Sequence, residues 1–401
     1  MKNYFYIMLL SLVLLAGFLS GISLTGYSIF SFFKEKSLNK SPIVTDSFNP
    51  ASILVVPSYS SNPGANVKIY LDFDGADSFY WDGGYEGFRF NVPVTRAYSS
   101  DSDYTTFSQN DLNKIKQIWE NVAEKFSMFN VDITTIDPVS YGDRYALHVI
   151  IGGNGSWFSG GSYAGASQKS SFHIVNLDNI AFAFSEQSSG YVPIVSEQIA
   201  HEVGHTFGLE WQSEYDSNQK LKSIWNRGNS HIAPIMGSSV FSSRGLWWAG
   251  YDNMRNFQDD LKVIANSTNG FGLKNDDYGD NIPNSYNLSF IGSKSELRGL
   301  IRNSTDVDYF KFYSSGGLLN VNASVEKNSM LNLSIDLYNT SGKIVTVESG
   351  NLGELLNINI SMGHHYLSVR GQGLVDCIDT NGLNQGRGYD IGQYSLVFVH
   401  N

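Results

Sequence analysis

From Val67 onward the chain runs through two hydrophobic periods in turn, and the place where one gives out divides it. VKIYLDFDGA (67–76) alternates apolar and polar residues, as a strand does that ends in a turn at Asp74-Gly75. Ser108 to Phe129 has helical spacing instead. Leu112, Ile115, Ile118, Trp119, Val122 and Phe126 fall on one face behind a Ser108/Asp111 capping box. VDITTID (131–137), YALHVIIGG (145–153) and the run Phe172–Leu177 predict further strands, and the glycine-rich piece from Gly152 to Gly165 a loop. A second helix is predicted over Ser196–Phe207, with Ile199, Val203 and Phe207 on its inner face. Another amphipathic segment spans Asn253–Ile264. This order predicts an α+β unit, a mixed sheet with long helices. After Leu288 the helical period is gone. Short alternating runs (DYFKFYSS, LLNVNASV, LNLSIDLYN, IVTVES, HHYLSVRG, YSLVFVH) separated by Gly, Asn and Ser predict an all-β sandwich or jelly roll.

The patterning sets boundaries. Residues 67–272 form the α+β unit, the polar, turn-rich stretch 273–287 a linker, and 288–401 the sandwich. Ahead of them lies an uncharged stretch from Tyr4 to Phe33, between Lys2 and the charged trio Lys34, Glu35 and Lys36. Residues 1–36 therefore read as a signal peptide or an N-terminal membrane anchor, and 37–66, rich in Ser, Pro and Asn, as a linker. No cysteine follows the apolar stretch, which excludes a lipoprotein anchor. Either reading places the rest outside the cytoplasm, secreted or at the cell surface. Sequons at Asn154, Asn266, Asn287, Asn303, Asn322, Asn332, Asn339 and Asn359 suit such a location.

Composition changes this picture in three places. With 42% hydrophobic and 16% charged residues the chain can bury cores and is not disordered. A net charge of −11 without any Lys/Arg block excludes nucleic acid as a partner. A single cysteine, Cys377, excludes an intrachain disulfide and reads as an inert thiol.

The chemistry sits in HEVGHTFGLEW (201–211). His201 and His205 are four apart, on one face of a helix, the spacing at which two imidazoles grip one Zn²⁺. Glu202 beside them has the position of a general base. Gly208 falls where the helix stops, and the chain beyond it is where a third ligand is expected. In the extended motif that ligand is the tenth residue after the first histidine. Here it is Trp211, which cannot bind zinc. Glu214 is the first candidate to replace it, with Glu210 and Asp216 as alternatives and His231 a weaker one. Downstream, Pro234-Ile235-Met236-Gly237 supplies a tight turn that would put Met236 beneath the metal. Asp276, Asp277 and Asp280, or Asp306 and Asp308, offer oxygen ligands for Ca²⁺ but lack EF-hand spacing, and turn formation explains them as well. His364-His365 reads as structural.

LDFDG (71–75), TTFSQND, IWENVAEKF and VDITTIDP (within 105–138), IIGGNGSWF (150–158), HEVGHTFGL (201–209), APIMG (233–237) and QDDLKVI (258–264) resemble the metzincin-like (zincin) secreted metalloproteases. NDDYGD (275–280), DVDYFKF (306–312), NLSIDLYNTSG (332–342) and GQYSL (392–396) resemble the pre-peptidase C-terminal (PPC) sandwich that usually follows them. The resemblance implies a zincin-like fold with one catalytic zinc on His201 and His205, Glu202 as base and Met236 as Met-turn. It also implies a protein or peptide substrate, lying extended along an edge strand near 161–175. Two departures stand out: Trp211, and the absence of tyrosine from SSVFSSRGLWW (238–248) after the Met-turn. The expected activity is zinc endopeptidase. The alternative is an inactive pseudoprotease serving as a cell-surface binding or adhesion module.

Overall fold

The structure, a computed structural model, describes residues 54–400 apart from 84–88, 159–163, 327 and 351. The expected signal or anchor (1–36) and most of the 37–66 linker lie outside the described residues. No helix among the described residues is long and apolar enough to cross a membrane.

The first region carries β1 (Val67–Asp72), β2 (Phe79–Trp81), β3 (Phe90–Val92), α1 (Gln109–Lys125), β4 (Val131–Thr134), β5 (Ala146–Ile151), β6 (Gly165–Ser167), β7 (Ile180–Ala183) and α2 (Val192–Thr206). Five of these strands form one sheet in the order β4-β1-β5-β7-β6. All its pairings are parallel except β6 with β7, so β6 is an antiparallel edge. Leu71, Val149, Ile151 and Ala183 face Ile115, Val122, Ile199 and Val203 of the two helices in a common core. On the opposite face Ile150, Phe182 and Ala166 meet Trp81, Phe158 and Phe184 in a second, aromatic cluster, to which the β2–β3 hairpin contributes. The Ser108/Asp111 capping box starts α1 as expected.

The chain then breaks into short pieces: β8 (Glu214–Tyr215), β9 (Leu221–Ser223), β10 (Ile232–Pro234), β11 (Arg244–Leu246), β12 (Trp248–Tyr251), β13 (Phe257–Asp259) and α3 (Asp260–Ile264). β14 (Tyr286–Asn287), β15 (Lys294–Ile301), β16 (Val307–Ser324), β17 (Ser334–Asn339), β18 (Gly342–Val347), β19 (Glu354–Arg370), β20 (Gly373–Ile378), β21 (Asn384–Asp390) and β22 (Gly392–His400) follow. Seven of the last nine strands form one sheet around the long pair β16–β19. The ladder with β19 skips Gly316, at φ +92°, and resumes at Gly317, which joins two expected strands into β16.

Two features differ from the sequence reading. The expected class, an α+β zincin-like domain with long helices, is corrected. The described residues are mostly β, with 39% strand against 14% helix and three α-helices among them, spread over many sheets. The causes are local. Phe172–Leu177 is not a strand but a series of turns, in which Phe172 alone turns inward onto Phe207 while Val175 is exposed. The amphipathic run from Asn253 is not a helix. The Asp252 carboxylate accepts from Met254 N and Asn256 N and holds a turn, Phe257–Asp259 pairs with β12, and only the five residues of α3 are helical.

The second finding is a sheet that crosses the linker. β12 and β13 join β21 and β20 in the order β13-β12-β21-β20, with Trp248 opposite Gly388. Buried polar contacts follow the same seam. Glu124 of α1 accepts from Ser329 Oγ (2.9 Å), Gln393 N (3.1 Å) and Gln393 Nε2 (2.9 Å). Arg244 Nη1 donates to Met330 O (2.8 Å) and to Asp390 Oδ1 (3.0 Å).

Candidate metal centre on the second helix

Helix α2 carries HEVGH in its last turns and ends in a complete Schellman motif. Gly208, at φ +107°, donates to His205 O (2.9 Å), and Leu209 N donates to Gly204 O (3.1 Å). This cap swings the Leu209 carbonyl to the ring of His205, whose Nδ1 donates to it at 2.8 Å. The Pro234–Gly237 turn, closed by Gly237 N donating to Pro234 O (2.9 Å), supplies the matching acceptor. His201 Nδ1 donates to Ile235 O at 2.7 Å. With both Nδ1 protons committed to backbone carbonyls, both Nε2 atoms present lone pairs. They face each other at 3.1 Å, with the rings at 82°. Burial lowers the pKa of His201, and burial together with the neighbouring His201 lowers that of His205 well below the usual range. Two imidazole nitrogens so placed are able to share a divalent cation.

Met236, in the Pro234–Gly237 turn, packs against α2. It is fully buried, and a Cβ placed on Gly204 would meet its sulfur at 2.5 Å. Glycine in the last turn of the helix is thus what lets the Pro234–Gly237 turn approach, at a helix-propensity loss of up to about 1 kcal/mol. One turn earlier on α2, Glu197 pairs with the buried Lys125 of α1 at 2.7 Å and accepts from Ser239 Oγ at 2.5 Å. The helix is held at both ends of its histidine face.

Glu202 is 5% exposed and points to the sheet edge. Its Oε2 accepts from Ser167 Oγ of β6 at 2.6 Å, and burial pushes its carboxyl up to about 7. That lies near neutral pH, where a base has most use.

The other expected ligands lie elsewhere. Glu214 accepts from Arg227 N (2.9 Å) and pairs with Lys222 (3.2 Å). Glu210 pairs with Lys169 at 2.5 Å, and Gln258 clamps its backbone from both sides. Asp216 closes a turn by accepting from Asn218 N and Lys220 N. His231 is an exposed turn residue. Among the described residues no third His, Cys, Asp or Glu brings a ligand atom within 4.8 Å of both imidazoles. Trp211 occupies that side instead, edge-to-face with His205 at 5.7 Å and with Trp225 at 6.4 Å. The donor set fits a borderline cation such as Zn²⁺ at two positions and leaves the others to water or substrate.

A trio of acidic ligands does come together far from the histidines. Asp276, Asp306 and Asp308 have oxygens within 4.8 Å of one another, and Asp277 and Asp280 are not among them. Such oxygens suit a hard cation like Ca²⁺. Burial pushes Asp308 up to about 8, and Arg302 stands 3.5 Å from Asp276 and 3.6 Å from Asp306. His365 is buried and stacked on Phe312 at 5.7 Å, a packing role. Cys377 is buried, and that burial raises its thiol to about 11.

Sequence reasoning missed two groups. Ser167 had no signal, since only strand pairing places it against α2. On the opposite face of the sheet His148 pairs with Asp72 at 2.6 Å and clusters with Tyr141 (4.7 Å) and Tyr70 (5.4 Å). Burial lowers His148 to about 4 and raises Asp72 to about 6. The LDFDG run marked one partner of this cluster and nothing marked the other.

No protein-family model matches the chain, and no curated protein does. Solved structures match part of it. The pre-peptidase C-terminal domain of a collagenase from Bacillus anthracis is 17% identical, over 28% of this chain and 91% of that one, with a TM-score of 0.20. PliG of Aeromonas hydrophila, a periplasmic inhibitor of g-type lysozyme, is 9% identical over 29% of this chain and 96% of its own, TM-score 0.21. PliG of Salmonella Typhimurium is 17% identical over 29% and 98%, TM-score 0.19.

Proposed function

We propose that the chain is an exported zinc-dependent endopeptidase of metzincin-like chemistry, acting on protein or peptide substrates. The observation that carries this reading is the pair of Nε2 atoms facing each other at 3.1 Å, with both Nδ1 protons tied to backbone carbonyls. Two lone pairs so fixed repel each other unless a cation lies between them. His201 and His205 would hold the zinc, which when bound supplies a Lewis acid for a carbonyl and for water. Glu202, buried and fixed by Ser167, takes a proton from the attacking water and delivers it to the leaving amine. The outer edge of β6, next to Glu202, offers backbone groups for an extended peptide.

One observation favours a second reading, a zinc-free surface-binding module. Trp211 lies against His205 on the side where a third ligand is expected. One experiment separates the two. The purified protein, prepared without chelator, is assayed for zinc and for casein cleavage beside Glu202→Gln. The peptidase reading expects one zinc per chain and a loss of about 10²- to 10⁴-fold in turnover in the variant. Metal-free protein, or cleavage indifferent to Glu202, would sink it and leave the binding module.

A further inference from the structure

We infer that Ser167 is the positioning residue of the Glu202 carboxylate, an assignment that rests on the peptidase reading above. The two side chains come from different elements and are both buried, at 3% and 5% exposure. Ser167 Oγ donates to Glu202 Oε2 at 2.6 Å, the one side-chain hydrogen bond recorded for that carboxylate among the described residues. The strand around Ser167 is shaped for the same purpose. Residues 165 and 167 share a face of β6, since side chains alternate along a strand. Residue 165 is glycine, and a Cβ there would stand 2.6 Å from Glu202 Cγ and 2.7 Å from its Oε1. So one position withdraws its side chain to admit the glutamate and the next on that face fixes it. Ala166 between them turns to the opposite, aromatic cluster and anchors the strand beside Phe182.

A flexible glutamate in this place loses the rotamer freedom that would otherwise be frozen during reaction. With Oε2 engaged by the hydroxyl, Oε1 is the oxygen left to carry the proton. The β6 edge therefore does two things at once. It offers backbone to an extended peptide and holds the base at a fixed distance from it.

The test compares Ser167→Ala and Ser167→Thr with wild type and Glu202→Gln. Ser167→Ala should lower kcat by about 10- to 100-fold, the range for a lost hydrogen bond to a charged group, with KM within twofold and zinc content unchanged. Ser167→Thr, which keeps the hydroxyl, should recover most of the loss. Wild-type kcat in Ser167→Ala overturns the assignment, and so does a joint loss of kcat, KM and zinc, which would mark a structural role. An independent readout needs no turnover. In protein labelled with ¹³Cδ-glutamate, the Glu202 signal, assigned by its absence in Glu202→Gln, should shift and broaden in Ser167→Ala. An unchanged signal overturns the assignment even if the chain cleaves nothing. Cleavage that ignores Glu202 while the signal moves overturns only the peptidase reading.

Discussion

Glu202 and Glu124 are two buried glutamates on neighbouring helices, and burial pushes both carboxyls up to about 7. They nonetheless belong to different kinds of region. Glu202 has one hydroxyl donor, Ser167, and its neighbours in sequence include the paired imidazoles of His201 and His205. Glu124 has three donors, all from Ser329 and Gln393, more than 200 residues further along the chain. A raised carboxyl is thus no mark of catalysis by itself. What distinguishes the two is satisfaction. The seam glutamate has both oxygens bonded by the far half of the molecule, while Glu202 has a hydrogen bond at Oε2 alone among the described residues.

Three changes would break or sharpen that contrast. The largest is removal of everything after Asn287. If the seam is integral, the shortened chain loses the β12–β21 pairing and the partners of Glu124 and Arg244, and its thermal unfolding by circular dichroism should lose cooperativity. A sharp transition at the full-length Tm would reduce the seam to a docking contact. Next is Arg244→Ala. Asp390 is fully buried and also accepts from Asn332 N and Gln372 N, so losing its guanidinium leaves a charge without a counterion. Denaturant titration should show a loss of about 3–5 kcal/mol.

The smallest is a change in pH response. Glu124 titrates at an ordinary 4.5 when unfolded and about 7 when folded, so the folded chain holds this proton more readily. Its contribution to stability is full below pH 4.5 and falls away as the pH rises to about 7. Glu124→Gln cannot titrate. Between pH 4.5 and 7 the variant should lose less stability than wild type, by up to roughly 3 kcal/mol. Parallel slopes in the two proteins would show that the three donors keep the carboxylate ionised.

What could be read from the sequence follows from the same contrast. His201 and His205 were legible because helical period alone puts them on one face, and Gly208 because only a left-handed residue ends the helix in that way. Met236 was legible by its place in a motif. Ser167 was not, for its contact is made across strand pairing that no short-range pattern encodes. Nor were the short strands between Gly208 and Ile264. An Asx turn at Asp216 closes the β8–β9 hairpin, and one at Asp252 overrides the amphipathic spacing after Asn253, where helix gives way to hairpin. The sheet that crosses the linker was hidden for a further reason: Asn384–Asp390 carries no apolar alternation to mark it as a strand, and no local signal says that Trp248 belongs opposite Gly388.

That pairing also sets a clock. Trp248 and Gly388 are 388 − 248 = 140 residues apart, which at about 5–20 residues per second is roughly 7–30 s of synthesis. Throughout that interval β12 has been made and its partner β21 has not. The first region therefore leaves the ribosome with one side of β12 unpaired, and the seam closes only after the long strands between its two halves have been made.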